Sequence, residues 1–154
     1  MKIEKFWRMF QNTFSVREVI SNTDFLIFKK GIRPEWEDPA NKNGGKWVVT
    51  MPIEDAMEEE CEKAWLNLLL TLMGGLFEYD HRKVINGVVF SIRDKHLRLS
   101  LWLSVGDDES IPLIRKIGLK MKEICKLDGK LKYGYQVHQK ALKHDLDNQN
   151  LIVV

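Results

Sequence analysis

The sequence predicts an α+β fold, in which a mostly antiparallel sheet packs against amphipathic helices. Residues 55–73 have the length and the apolar spacing of a long helix. Residues 84–93 and 97–104 have the composition of two strands, and the turn between them is short enough to make them antiparallel neighbours. With 154 residues, the chain is expected to form a single domain over residues 1–154.

The composition excludes several classes of protein. Lys and Arg number 24 against 22 Asp and Glu, so a basic binding site would have to be local. Cys61 and Cys125 lie in apolar helical patterns, without the spacing of a disulfide framework or a metal site, which fits a reducing compartment. We see no signal peptide and no apolar run long enough to span a membrane.

No catalytic motif is present, and we do not expect an enzyme. A glycine-rich phosphate loop, a GxSxG motif and an HExxH motif are all missing from the sequence. The four histidines are scattered along the chain. His138 lies close to Lys140 and Lys143, and we interpret it as part of a basic surface cluster.

The first third of the chain predicts one helix and two strands. Apolar residues recur at helical spacing within residues 2–11, which indicates an amphipathic helix. The apolar run at 25–28 predicts a strand. Residues 46–51 follow the Gly44-Gly45 pair and are rich in β-branched and aromatic side chains, which predicts another.

The helix predicted at 55–73 is apolar nearly all round in its second half. Acidic residues near its start suit the helix dipole, and Gly74-Gly75 is a typical helix end. One apolar stripe runs along the whole helix, and a second consists of Leu66, Leu70 and Met73. Such a helix is either buried on all sides or has a second face for a partner. The sequence leaves both alternatives open.

The strand at 97–104 has one leucine face and one polar face. Arg98 and Trp102 share the polar face with serines, and Arg93 of the preceding strand can join them. Such a face is commonly just exposed to water. A tryptophan beside arginines, however, offers the stacking and phosphate pairing that nucleotide ligands need. The pattern of the strand gives both alternatives equal weight.

The last third predicts a helix at 107–126, with Ser110 as a possible N-cap and Pro112 in its first turn. Residues 131–137 predict a strand, and the apolar residues 151–154 predict a short one.

The loop at 31–39 places Trp36 between two prolines and two acids, where no helical or strand pattern accounts for it. Pro34 and Pro39 stiffen the backbone on either side. Trp36 could fold back as a lid on the core. Alternatively, it could present its ring beside a carboxylate to a flat, cationic, hydrogen-bonding ligand. The loop alone slightly favours the lid.

Taken together, these residues resemble the eukaryotic translation initiation factor 4E family, whose members bind the 5′ cap of messenger RNA. The sequence GIRPEWED at 31–38 and the sequence NKNGGKW at 41–47 carry much of the resemblance. The matching stretches occur in the same order and span nearly the whole chain: 4–7, 28–38, 41–47, 65–69, 87–93, 101–102 and 134–136.

The resemblance implies a strongly curved, mostly antiparallel sheet with about three helices on its convex face and a 7-methylguanosine triphosphate site on its concave face. The cap is a ligand, and no cofactor and no metal are implied. By the resemblance, the cap site consists of Trp36, Glu37 and Trp102 at the base, and Arg93, Arg98 and Lys95 at the phosphates.

The resemblance also implies a partner on the back of the sheet, either the scaffold factor 4G or a competing repressor, which docks a helical motif. The positions that receive this motif are Ile3, Trp7, Leu66, Asn67 and Leu70. Asn67 stands where many members have an acid that pairs with a basic residue of the partner, so the choice of partner could differ. Lys46 replaces an arginine common near the phosphates.

The expected function is therefore cap binding and recruitment of capped mRNA to the initiation machinery, by a monomer in the cytoplasm, with the nucleus as a second compartment. The alternative is an interaction module that binds the cap weakly or not at all and competes for the scaffold.

The sequence departs from the family at its start, because it begins at the helix over residues 2–11. The family's first strand, and the loop with a second stacking tryptophan, come before that helix and are absent. A misplaced start codon, a deliberate truncation and a natural short form would each explain this. In a natural short form we expect cap affinity to be weaker by about 1–3 kcal/mol, the contribution of one stacked aromatic.

Overall fold

The computed structural model describes residues 22–53, 55–141 and 152–154, together with the isolated positions 4, 5 and 8. Most of the helix predicted over residues 2–11 therefore lies outside the described residues. The three positions of it that are described, Glu4, Lys5 and Arg8, are helical.

The described elements follow the predicted order closely. The strands are β1 (Thr23–Phe28), β2 (Gly45–Pro52), β3 (Ile85–Ile92), β4 (His96–Leu103), β5 (Tyr133–Val137) and β6 (Ile152–Val153). The helices are α1 (Asp55–Met73), α2 (Tyr79–Val84), α3 (Ile111–Cys125) and α4 (His138–Ala141), with a 3₁₀ turn at Asp108–Ser110.

The strands form one curved, six-stranded sheet in the order β1-β3-β4-β2-β5-β6. Every strand pair within the described part of the chain is antiparallel, which confirms the α+β class. The register determines which side chains lie next to each other on one face of the sheet. Trp102 of β4 lies opposite Lys46 of β2 on one side and Gly87 of β3 on the other, and Arg98 lies opposite Thr50 and Ser91.

The core lies between the sheet and helices α1 and α3. The four alternating leucines of β4 are completely buried there, at positions 97, 99, 101 and 103. From the helices, Trp65 and Leu68 of α1 and Ile117 of α3 are also buried. The indole Nε1 of the buried Trp47 donates a hydrogen bond of 2.9 Å to the carbonyl oxygen of Ile114, which ties β2 to α3.

The structure differs from the prediction in three short segments. Helices α2 and α4 were not predicted. The helix predicted from residue 107 begins at Ile111, after a 3₁₀ turn. Ser110 does occupy the N-cap position, but its side chain makes no capping hydrogen bond. Instead, the carboxylate of Asp107 accepts hydrogen bonds from the Ser110 amide and hydroxyl, at 2.9 and 3.0 Å. The prediction of Pro112 in the first turn is confirmed.

Candidate functional site

The sheet face opposite the core gathers polar and charged side chains from neighbouring strands. The strand register places them in rows across the sheet, because residues directly opposite each other point to the same face. Two rows contain the charged side chains. One row consists of Phe28, Gly87, Trp102, Lys46 and Gln136. The other consists of Asp24, Ser91, Arg98 and Thr50. We call this surface the concave face.

Trp102 is the aromatic centre of the concave face. Its half-buried ring packs edge-on against Phe28, with 5.5 Å between ring centroids, and lies 4.4 Å from the ring of His138. The ammonium of Lys46 lies 5.6 Å from the same ring centroid. Trp102 Nε1 and His138 Nε2 are both buried and have no hydrogen-bond partner among the described residues. The ring is thus held in place by packing rather than by hydrogen bonds.

His138 is not part of a surface cluster, so that interpretation was wrong. Only 6% of the residue is exposed. Its backbone amide donates a hydrogen bond of 3.1 Å to the carbonyl oxygen of Gly44, and its ring meets Trp102. Burial, and then the nearby charge of Lys46, lower the pKa of His138 to about 4. The imidazole is therefore neutral at physiological pH.

Lys46 is a basic group of the concave face whose surroundings disfavour its charged form. Burial lowers the pKa of Lys46, and the charge of Arg98 lowers it further, while Asp24 acts in the opposite direction. A buried ammonium near another cation gains from an anionic ligand, because the ligand replaces the missing counter-charge.

Two of the three candidate base-binding residues, Trp36 and Glu37, lie in the loop between β1 and β2. Trp36 is half-buried and the side chain of Glu37 is exposed. The strands at the two ends of this loop supply Phe28 and Lys46, both of which contact Trp102. The loop therefore starts and ends beside Trp102. Among the described residues, Trp36 neither belongs to the core nor packs against it, so this part of the structure does not support the lid alternative.

A polar network that was not predicted fixes the shape of this loop. The buried Asn41 donates from Nδ2 to the carbonyl oxygens of Arg33 and Glu35, both at 2.9 Å. Its Oδ1 accepts a hydrogen bond of 2.9 Å from Nδ2 of Asn86, which also donates to the carbonyl oxygen of Ala40 at 2.8 Å. Asn41 thus bridges the loop to the start of β3.

Asp38 stabilises the other side of the loop. Its carboxylate accepts hydrogen bonds of 2.9 Å from the backbone amides of Arg33 and Ala40. These two bonds are the main reason that the pKa of Asp38 lies below its ordinary value. Turns in which an aspartate accepts from an amide two residues later are common, so this part of the network has a recognisable local signal. The contact between Asn41 and Asn86 spans 45 positions and has none.

The three candidate phosphate-binding residues have different surroundings. Arg98 is half-exposed on the concave face, with Nε 3.4 Å from the Thr50 hydroxyl oxygen. Lys95 is exposed in the turn between β3 and β4. Arg93 is already paired: its Nη2 lies 3.0 and 3.1 Å from the two carboxylate oxygens of Asp24. The register pairs Lys46 with Trp102 and places Arg98 on the same face four residues along β4, about 13 Å away at strand rise, whereas Arg93 pairs with the carboxylate of Asp24.

The back of the sheet carries the candidate partner-binding residues. Leu66 and Asn67 are half-buried, and Leu70 is 38% exposed. The second apolar stripe of α1 is therefore not enclosed by the described residues, which favours a partner face over full burial. Ile3 and Trp7 lie outside the described residues.

The described part of the chain offers neither a metal site nor a membrane-spanning helix. No cluster of three or more metal-ligating side chains that could hold a metal ion occurs among the described residues. Within that same part of the chain, no helix has the length and apolar character needed to cross a membrane.

Comparison with known proteins decides the family. The family model for eukaryotic initiation factor 4E matches residues 1–152. The chain belongs to the eukaryotic initiation factor 4E family. Similar curated members of the 4E family include initiation factor 4E1 of Drosophila melanogaster, 35% identical over 91% of this chain, and factor 4E-1 of Arabidopsis thaliana, 36% identical over 96%. The chain spans only 52% and 58% of the length of these two relatives.

Solved structures of 4E proteins share the fold. C. elegans eIF4E-3 in complex with the 4E-binding protein Mextli superimposes with a TM-score of 0.86 at 26% identity, over 99% of this chain and 81% of the other. A schistosome eIF4E complexed with m7GpppA and 4E-BP gives a TM-score of 0.82 at 28% identity, with the same coverage. These matches confirm the predicted fold and family. The 4E proteins are translation factors, which confirms that the chain is not an enzyme.

Proposed function

We propose that this chain binds the 7-methylguanosine cap of mRNA on its concave face and recruits it to translation initiation through a partner docked on α1. One observation carries the proposal: the strand register places Trp102, Arg98 and Lys46 on one face of the sheet, beside a hydrogen-bonded loop that carries Trp36 and Glu37. The relatives support it, since the schistosome protein was solved with m7GpppA and an Ascaris suum eIF4E-3 with the m7G cap.

The chemistry of the cap suits the base-binding residues. Methylation at N7 makes guanine cationic, and a cation stacked on an indole gains about 1–2 kcal/mol. Trp36 is the proposed stacking surface. The exposed carboxylate of Glu37 accepts from guanine N1–H and N2–H, as a charge-assisted pair. Trp102 contacts the N7 methyl group.

The triphosphate is the proposed counter-charge for the basic residues. Arg98 and Lys46 lie on the concave face in rows that are separated by the row of Ser100, and the charge of Arg98 is near enough to lower the pKa of Lys46. Lys95 lies in the turn after β3. Arg93 needs a rearrangement before it can take part, because Asp24 occupies its guanidinium. We therefore assign Arg98 and Lys46 the larger part of phosphate binding, with Arg93 and Lys95 contributing less.

Titration with 7-methyl-GTP, followed by tryptophan fluorescence, tests the proposal. Stacking on Trp36 is expected to quench the fluorescence, with much weaker quenching by unmethylated GTP, since only the methylated base is cationic. Equal quenching by both nucleotides, or none from a sample whose circular dichroism is that of a folded protein, would refute cap binding by this chain.

Glu37 offers a sharper test of the base-binding role. Glu37→Ala should remove the preference for 7-methyl-GTP over 7-methyl-ATP. Glu35→Ala is the matched control, since Glu35 is an exposed acid of the same loop that pairs with Arg33 at 3.2 Å. Loss of the preference in the control alone would contradict the role of Glu37.

The exposed apolar stripe of α1 favours one alternative function, an interaction module that binds a scaffold factor without useful cap binding. Its basis is the exposure of Leu70 on a helix whose other side is fully packed. Retention of a factor 4G peptide by this chain, together with failure to bind a 7-methyl-GTP resin, would favour the module. Either function places the protein in the cytoplasm, where translation is initiated, and we propose that location, with the nucleus as a second compartment.

A further inference from the structure

Lys132 is an exposed cation that the proposed cap site does not use. It directly precedes β5, and the register between β5 and β2 ends with Tyr133 opposite Val49. One residue further in the same register, Lys132 lies opposite Thr50. Because the side chain of Tyr133 is buried in the core, with 1% of the residue exposed, the alternation of side chains along a strand directs Lys132 to the concave face.

Thr50 connects Lys132 to a cation of the proposed phosphate site. Thr50 lies opposite Arg98 of β4, and its hydroxyl oxygen is 3.4 Å from Arg98 Nε. Arg98, Thr50 and Lys132 therefore form one row across three neighbouring segments of the sheet. Two inter-strand spacings of about 4.8 Å separate the two cations, so their Cα atoms are about 10 Å apart. A phosphate group above Thr50 is within reach of both long side chains.

The two cations of this row have no counter-charge of their own. Asp24, at the other end of the row, is paired with Arg93 at 3.0 Å. Within the described part of the chain, no carboxylate forms an ion pair with Arg98 or Lys132, and this includes the terminal carboxylate of Val154, the residue that pairs with Tyr133. Like charges on one row repel each other, and an anion between them turns that repulsion into two attractions.

Positive charge continues from this row in the direction away from Trp102. Lys126 and Lys130 are exposed in the segment 126–132, which joins α3 to β5, and Asp128 is the only acid of that segment. The basic track thus begins at the proposed triphosphate site and leads away from the base site. Such a track is complementary to a polyanion that is attached to the cap.

We propose that Lys132, across Thr50 from Arg98, binds the first phosphates of the RNA chain that follows the cap. The inference rests on the proposed cap binding and extends its ligand from the cap nucleotide to the RNA behind it. Arg98 then lies where the triphosphate meets the chain. Phosphate contacts position a nucleic acid without reading its bases, so the gain in affinity should be the same for oligouridylate and oligoadenylate.

Tryptophan fluorescence titrations at low salt compare 7-methyl-GTP with a short oligouridylate that carries the same cap. The parent chain should bind the capped oligonucleotide about threefold more tightly, a factor of the size that an exposed charge pair contributes. Lys132→Ala should lose this gain and bind 7-methyl-GTP as the parent does. The affinity for the capped oligonucleotide should also fall more steeply with salt than that for 7-methyl-GTP, and Lys132→Ala should reduce the difference.

Two further variants separate the role of Lys132 from a general effect of charge. Lys132→Arg keeps the cation and should keep the gain. Lys116→Ala removes an exposed lysine of α3, on the other side of the sheet, and should change neither affinity.

The outcomes distinguish the inference from the proposed function. If the parent chain bound both ligands equally, or if Lys132→Ala kept the gain, the inference would be overturned while cap binding stands. An equal loss of affinity for both ligands in Lys132→Ala would also overturn it, since Lys132 would then belong to the triphosphate site alone. Failure of the folded parent chain to bind either ligand would refute the proposed function, and the inference with it.

Discussion

Replacing Asn41 by alanine tests whether the polar network determines the shape of the loop between β1 and β2, the proposed cap-binding loop. The side chain is fully buried and makes hydrogen bonds to the backbone of Arg33 and Glu35 and to the side chain of Asn86. Trp36 and Glu37 lie directly after Glu35. Asn41→Ala therefore removes the bridge between the proposed ligand-binding part of the loop and the sheet.

The expected loss of stability depends on what each partner does afterwards. Asn86 keeps its hydrogen bond to the carbonyl oxygen of Ala40, so its amide is not left unpaired. The carbonyl groups of Arg33 and Glu35 belong to exposed residues and can turn to water. We therefore expect the free energy of unfolding to fall by about 1–3 kcal/mol, which is the range for losing one or two net hydrogen bonds and leaving a small cavity. The larger cost of leaving three buried polar groups unsatisfied does not apply.

Urea unfolding and 7-methyl-GTP titration measure the two consequences. The variant should unfold at lower urea, and its affinity for 7-methyl-GTP should fall about tenfold or more, because part of the binding energy is spent on ordering the loop. Asn43→Ala is the matched control, since Asn43 is an exposed asparagine of the same loop whose side chain accepts a hydrogen bond of 3.1 Å from Gln139. Wild-type stability and affinity in Asn41→Ala, or equal losses in both variants, would refute the reasoning.

Two further predictions concern the surroundings of Trp102. Gly87→Ala should lower the free energy of unfolding by about 1–3 kcal/mol, because the new Cβ would overlap the ring of Phe28. Gly129→Ala, where a Cβ meets nothing within 4 Å, should be close to neutral, and equal effects of the two in urea unfolding would contradict this account. The second prediction concerns pH. Because burial lowers the pKa of His138 from 6.5 to about 4, the unfolded chain binds a proton that the folded chain does not. The contribution of His138 to the free energy of unfolding is fully present above pH 6.5 and is lost as the pH falls toward 4. The expected loss between pH 7.5 and pH 5 is about 2 kcal/mol. His138→Gln should lose less stability over that interval, and an identical loss would show that His138 is not responsible.

The sequence predicted the elements whose side chains alternate or repeat regularly. The leucines of β4 and the stripe of α1 are strong signals, and the structure buries them as the periodicity requires. Helix α2 has six residues with only Tyr79 and Val84 apolar, too short for a helical period to be visible. Its position depends on contacts with distant residues, such as the hydrogen bond from Lys29.

The resemblance named the residues of the candidate site but not the contacts among them. The resemblance selected Trp36, Glu37 and Trp102, whereas the burial of His138 against Trp102 depends on how β5 ends beside Gly44. The pairing of Arg93 with Asp24 joins residues 69 positions apart. Local sequence patterns contain no information about such contacts, because the sheet topology creates them.

The two halves of the proposed base site are held by different forces, and this decides which half limits affinity. Trp102 lies on β4, whose opposite side is the fully buried leucine row, so its position is fixed by the core and by the strand register. Trp36 lies on a loop that is fixed by a few hydrogen bonds around Asp38 and Asn41. Local opening is easiest where few apolar contacts must break. Differences in cap affinity among variants that keep the fold should therefore arise mainly from the order of the Trp36 loop, and only rarely from displacement of Trp102.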